Sequence, residues 1–476
     1  MSVWSGVSQL PKTLASGVLA NIGMSLASRV ASAGSNLFYV AVTAWLYSKE
    51  EVAVLAVGGI VTSVLDAAKG LGLGTCLLKR LPQLDRDSTE SGDLIASYLL
   101  YSLAPAMLLG LGAWAVLAPL ENFLFSASDR RPELVLALAV SVLTVLMNAN
   151  LLVFQARQQF GLLALGTVVV SLLQRLAPCL AAQWRRSALL EFLWISLILS
   201  AAATIMTYAP LARLVRSRRR LLRPAAFWPE YRHFYYAGWV RYSATQIDQL
   251  LVAMLFSPSV LASYYVLRRL YSIAVMLIAS MLDALVPDAS RRSGEDRRAA
   301  RQWLQDWLRV SLYGATIAAA FLAAVGPLAV GWILGPAYAE DPVLIALFAI
   351  ASMTCVLFGV TQVDFLLFED SHQTLRLTAF TAAVQIAAGV ALSMFVGVRG
   401  MPLSMAVSFL LALVVAWRWA GASVLPATRL VAALGSIALA ALAPLAGPAA
   451  AAICVGLLAW VQYHRWQVGS CWRRLA

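Results

Sequence analysis

Five arginines lie inside otherwise apolar stretches of this 476-residue chain: Arg29, Arg175, Arg241, Arg268 and Arg269. Four acids do the same: Asp66, Asp248, Asp283 and Asp364. A charged side chain at membrane depth costs roughly 2.5–3.5 kcal/mol on the insertion scale, so such groups face a cavity or a partner. A guanidinium presents a planar fork of donors that matches phosphate or carboxylate oxygens. The excess of arginine over acid therefore predicts a cavity that attracts an anion. Amides and hydroxyls accompany the charges. Gln174 precedes Arg175; Arg241, Thr245 and Asp248 fall at i, i+4 and i+7; Thr378, Thr381 and Gln385 fall at i, i+3 and i+7. Groups spaced in this way share one helix face. Asp248 is the preferred ion-coupling acid, held near Arg241, and its protonation would free that arginine. A fixed Asp248–Arg241 structural pair is the competing reading. Asp66, one turn before Lys69, is a second coupling acid or half of a local ion pair.

These residues must be positioned by membrane helices. Hydrophobic residues make up 61% of the chain and charged residues 12%. The mean hydropathy is +0.78. A soluble domain carries about 25% charge, so the composition specifies an integral membrane protein. The net charge of +13 sits mainly between apolar runs, where it meets anionic lipid, and nucleic acid is not an expected partner. The five cysteines are scattered and show no disulfide framework or metal spacing. His233, His372 and His464 are isolated in sequence, so no His-based metal or catalytic cluster is expected. No removable signal peptide is legible near Lys12.

A span needs about 20 apolar residues. Hydropathy places helices at 14–46, 51–78, 93–119, 133–155, 160–183, 188–212, 231–256, 259–287, 307–334, 342–367, 374–397, 400–420, 427–446 and 448–464. The expected fold is an all-α polytopic membrane protein of about fourteen transmembrane helices. Twelve spans with a looser tail is the alternative, because Gly447-Pro448 splits the last two short segments. The organisation read from this is a first six-helix half, 1–212; a cytoplasmic basic connector, 213–230; a second six-helix half, 231–420; and a C-terminal helix pair with tail, 421–476. With both termini cytoplasmic, inside loops and tails carry about 23 Lys and Arg against about 6 outside. Arg185 and Arg186 are the main exception. The connections are too short for a soluble catalytic domain.

Polar stripes run along several spans. The first helix carries Asn21, Ser25, Ser28, Arg29, Ser32, Asn36 and Tyr39 in steps of three and four, which reads as a water-filled path or as tight helix packing. The fifth carries Thr167, Ser171, Gln174 and Arg175, with Pro178 able to kink it. A weak internal repeat links Trp45-Leu46-Tyr47-Ser48 with Met254-Leu255-Phe256-Ser257, each leading into a span that closes with acid and base. Such symmetry is common in transporters, with the substrate path between halves.

Motif order adds a resemblance. The Asn-containing first helix is followed by a turn at Ser48-Lys49-Glu50-Glu51 and a second helix ending Asp66-Ala67-Ala68-Lys69-Gly70-Leu71-Gly72. Asp248, Tyr264-Tyr265-Val266-Leu267-Arg268-Arg269-Leu270, Pro287, Leu334-Gly335-Pro336-Ala337-Tyr338 and Gly397-Val398-Arg399-Gly400 then come in order. Over most of residues 15–420 this pattern resembles the O-antigen-type polysaccharide flippases of the multidrug, oligosaccharidyl-lipid and polysaccharide exporter superfamily. Residues 67–69 depart from the family's acid-then-glycine pattern, and residues 425–476 depart from it altogether. The resemblance implies a V-shaped bundle of two six-helix halves in the bacterial inner membrane. It implies alternating access that carries a polyprenyl-pyrophosphate-linked oligosaccharide to the outer leaflet. It is compatible with proton or sodium coupling and implies no other cofactor. Membrane lipids, and a polysaccharide polymerase or export machinery, are the partners it suggests.

In that reading Arg29, Arg175, Arg241, Arg268 and Arg269 line the cavity and meet pyrophosphate or acidic sugars, Gln174, Thr245 and Gln385 meet sugar hydroxyls, and Asp248 or Asp66 couples to an ion. Two rivals stand beside it. A cation exporter of the same superfamily would not depend on the cavity arginines. A membrane saccharide polymerase or ligase would carry a sizeable outer loop with catalytic Arg or His; the predicted outer loops are short and lack His.

Overall fold

The structure is a computed structural model that describes residues 12–68, 73–84, 88–115, 130–157, 159–185, 188–216, 224–272, 296–338, 341–368 and 371–420, with single positions between them. Every regular element among the described residues is helical. The first half comprises α1 (Lys12–Leu46), α2 (Lys49–Ala68), a short α3 (Leu73–Arg80), α4 (Thr89–Ala115), α5 (Arg131–Ala156), α6 (Phe160–Arg185) and α7 (Leu189–Arg216). The second comprises α8 (Pro224–Leu255), α9 (258–272), α10 (Arg297–Leu334), α11 (Pro342–Phe368), α12 (Ser371–Val396) and α13 (Gly400–Ala420). The predicted C-terminal pair, 421–476, lies outside the described residues, as does Asp283.

Seven described helical segments are long and apolar enough to cross a bilayer, including Thr89–Ala115, Arg131–Ala156 and Phe160–Arg185. In α1 and α8 the described apolar segments are Val30–Leu46 and Gln246–Leu255.

Local chemistry sets the helix ends. Ser48 and Glu51 form a capping box at the start of α2: the Ser48 backbone N–H donates to Glu51 Oε2 at 2.9 Å, and Glu51 N–H donates to Ser48 Oγ at 3.3 Å. Asp296 accepts from the backbone N–H groups of Arg298 and Ala299 and starts α10. Asp341 accepts from Leu344 N–H at the start of α11 and also pairs with Arg399 Nε at 2.7 Å, tying the α12–α13 turn to α11. Gly335, with φ of +89°, ends α10 in a conformation that a side chain would disfavour. Trp332 beside it is 88% exposed, as an aromatic anchor at the membrane surface would be. Helix α7 continues to Arg216 and α8 already begins at Pro224, a residue well suited to a first helical position.

The two halves repeat one packing pattern. In the first, α1 packs on α6, α2 and α4 on α5, and α5 on α7. In the second, α8 packs on α12, α10 on α11, and α11 on α13. The rings of Tyr264 and Tyr271 on α9 lie 5.2 and 5.5 Å from Phe348 on α11, completing the match with α2 on α5. One apolar core runs through both halves, from Val40 to Ala416. The halves meet through α2 against α8 and α1 against α10. The Lys49 ammonium also sits 5.5 Å from the Tyr338 ring centroid. Burial raises the Tyr338 phenol above its ordinary pKa, so it stays neutral there.

Candidate functional site

A cavity of about 480 Å³ opens among α1, α2, α5, α6 and α7, and α9 of the opposite half adds Tyr265 and Arg269. Three polar stripes converge on it. From α1 come Ser32, Asn36 and Tyr39; from α5 come Ser141, Thr144, Asn148 and Gln155; from α6 come Thr167, Gln174 and Arg175. These spacings of three, four and seven explain why each helix turns one hydrophilic face inward.

Helix α6 is distorted where its site residues sit. Residues Leu172–Leu176 form a π turn that ends just before Pro178. Proline cannot donate the ordinary backbone bond, and the wider turn absorbs the mismatch. The kink expected at Pro178 thus appears as a π turn carrying Gln174 and Arg175. Arg175 Nη1 donates to the Ser32 carbonyl at 2.9 Å and to Ser32 Oγ at 2.8 Å, fastening α6 to α1. Gln174 Nε2 approaches Thr144 Oγ1 at 3.4 Å. Asp66 lines the same cavity and accepts from Asn148 Nδ2 at 3.4 Å.

The neighbouring arginines of α9 have different settings. Arg268 Nε donates to Asp248 Oδ2 at 2.5 Å, and the Tyr264 hydroxyl donates to the same oxygen at 2.6 Å. The side chains of this ion pair are 8% and 0% exposed. The Arg268 guanidinium also lies 5.8 Å from the Tyr271 ring centroid. Arg269, by contrast, stacks 5.0 Å over Tyr265 and makes no ion pair with a carboxylate among the described residues. Glycine at position 59 permits this stack: a Cβ there would meet Tyr265 Cε2 at 3.2 Å and Arg269 Nη2 at 3.4 Å.

Of the residues singled out in the sequence, Arg175, Gln174, Arg269 and Asp66 come together on the large cavity. The described partner of Asp248 is Arg268. Gln385 lines neither this cavity nor the smaller chamber beside it; it is wholly buried in α12, and neither amide atom has a partner among the described residues. The side chains of Arg29, Arg241, Thr245 and Asp364 lie outside the described residues. His233 and His372, isolated in sequence, have ring centroids 5.8 Å apart. The sequence reading missed the α5 face. Its signal was present in Ser141, Thr144, Asn148 and Gln155, but those residues are neutral and sit in a strongly apolar helix.

Residues 42–341 match the family model described as polysaccharide biosynthesis protein. The chain belongs to this family. No curated protein sequence matches it. Its fold is similar to that of solved exporters. The Vibrio cholerae MATE transporter VcmN, solved as a point mutant, aligns with a TM-score of 0.66 at 14% identity, over 85% of this chain and 96% of that one. The MATE multidrug transporter DinF-BH in complex with R6G aligns with a TM-score of 0.66 at 15% identity, over 86% and 96%. A MOP superfamily transporter from Pyrococcus furiosus, whose reverse pocket polarity suggests a different function for it, aligns at 0.63 and 14%, over 85% and 94%. This polysaccharide biosynthesis family member is therefore a multi-pass membrane protein with the MATE-like fold, as the motif order implied. The family match extends past the first half and takes in α8–α10, including Asp248, Arg268 and Arg269.

Proposed function

We propose that this protein is a flippase that moves a polyprenyl-pyrophosphate-linked oligosaccharide from the cytoplasmic to the outer leaflet of the bacterial inner membrane by alternating access. One observation carries the reading. The cavity of the first half, walled on one side by α9, is lined by hydroxyls and amides, and its described charges are two guanidiniums, Arg175 and Arg269, against a single carboxylate, Asp66. Hydroxyls and amides suit sugars, and the surplus cation suits a phosphate or acidic sugar. Arg269 is the group free to meet such an anion; Arg268 is occupied by Asp248 and Arg175 is bonded to α1. Coupling to a proton or sodium gradient falls to Asp66, which faces the cavity, in preference to Asp248, which Arg268 and Tyr264 already engage. In this reading both termini lie in the cytoplasm, on the side of the basic loops, and a polymerase on the outer face would consume the product.

Asp66 also supports a second reading, export of a cationic small molecule, because it could pair with the cargo. Cells depleted of the protein separate the two. Flippase loss should trap the lipid-linked saccharide on the cytoplasmic face, and re-expression should clear it. Saccharide that reaches the outer face normally in depleted cells would overturn the flippase reading.

A further inference from the structure

A second, smaller chamber of about 90 Å³ lies beside the large cavity, between α2, α8 and α9. Four residues line both spaces: Gly59, Ser63, Tyr265 and Arg269. The Arg269–Tyr265 stack is thus the common wall between them. Beyond the wall the chamber is lined by Gln246, Gln249, Arg268 and Ser272. Its described lining holds two guanidiniums, two carboxamides and two serine hydroxyls, and no carboxylate. Three features make the wall movable. The described hold on the Arg269 guanidinium is one ring face, 5.0 Å from the Tyr265 centroid. Arg269 has no carboxylate holding it among the described residues. Gly59 leaves no side chain to clamp the stack from α2. Arg268 behind the wall is fixed by Asp248, so it supplies donors without moving.

We propose that the Arg269–Tyr265 stack is a swinging wall, and that the chamber behind it is a second subsite for an oxyanion on the cargo. The subsite rests on the flippase reading; the wall does not. An oxyanion entering the large cavity draws Arg269 off Tyr265, the two spaces merge, and the anion gains the amides and hydroxyls beyond. The oxyanion could be an acidic substituent on the sugar or the lipid's pyrophosphate, since the chamber chemistry suits both.

Cysteine labelling tests this without a transport assay. In a full-length chain whose five native cysteines are replaced, Ser272→Cys reports the small chamber and Thr144→Cys the large cavity. The probes are an anionic and a cationic methanethiosulfonate applied to purified protein in nanodiscs. Ser272→Cys should label slowly and with preference for the anionic probe. Adding Tyr265→Leu should speed that labelling at least tenfold, whereas Tyr265→Phe, which keeps a ring under Arg269, should not. Thr144→Cys should label alike in all three backgrounds and so reports intact folding. Equal Ser272→Cys rates in the Tyr265→Leu and Tyr265→Phe backgrounds, or preference for the cationic probe, would overturn the wall. Protection of Ser272→Cys by a glucuronate oligosaccharide assigns the subsite to an acidic sugar, and protection by a short-chain polyprenyl pyrophosphate assigns it to the lipid. Protection by neither overturns the subsite while leaving saccharide flipping to be judged by its own assay.

Discussion

Replacing Arg268 with alanine is expected to destabilise the protein by about 3–5 kcal/mol, the cost of leaving a buried charge without its partner. Asp248 has no exposed side-chain surface, and its second oxygen, Oδ1, has no hydrogen-bond partner among the described residues. Without Arg268 its one described donor is the Tyr264 hydroxyl. Asp248→Ala should cost a similar amount for the converse reason, a guanidinium 8% exposed in an apolar bundle. The double variant Asp248→Asn/Arg268→Met removes both charges and should regain most of the loss. A cycle of Asp248→Asn and Arg268→Met, made singly and together, reads the coupling by unfolding in mixed micelles. Additive losses would mean that the pair contributes nothing jointly. If Asp248 instead couples transport to an ion, the double variant would fold and yet lose gradient dependence.

Arg269→Gln should lower the transport efficiency of an acidic saccharide-lipid by roughly ten- to a hundredfold, because a hydrogen bond to a charged group contributes about 1.5–3 kcal/mol. Stability should change little, since Arg269 is only partly buried and holds no carboxylate among the described residues. Arg269→Lys keeps the charge but loses the planar fork and should fall between wild type and glutamine. Initial rates in proteoliposomes, compared for an acidic and a neutral cargo of equal length, provide the check. A loss of equal size for both cargoes would mean that Arg269 shapes the cavity without recognising charge.

Much of this arrangement was legible in the sequence. Intramembrane Arg175 and Arg269 announced themselves because charge in an apolar run demands a partner or a cavity. The Ser48–Glu51 spacing announced the start of α2. Partner choice was not legible. Arg268 reaches Asp248 from across a helix hairpin, a contact that only the packing of α9 on α8 makes. Gln385 had the same stripe signature as Gln174, yet one is buried within the second half and the other lines the cavity. Spacing identifies a shared face; it does not say which neighbour covers that face. The repeat linking Trp45–Ser48 with Met254–Ser257 announced two related halves, but not that α1 packs on α6 and α8 on α12.

Flipping itself is read by leaflet movement of a fluorescent polyprenyl-pyrophosphate oligosaccharide in liposomes containing only the purified protein. Headgroup fluorescence exposed to an external quencher reports the transfer. A flippase should give protein-dependent movement that an ion gradient accelerates and that Arg269→Gln slows. Saccharide-lipid that stays in its leaflet, while the same vesicles move a cationic dye, would contradict it.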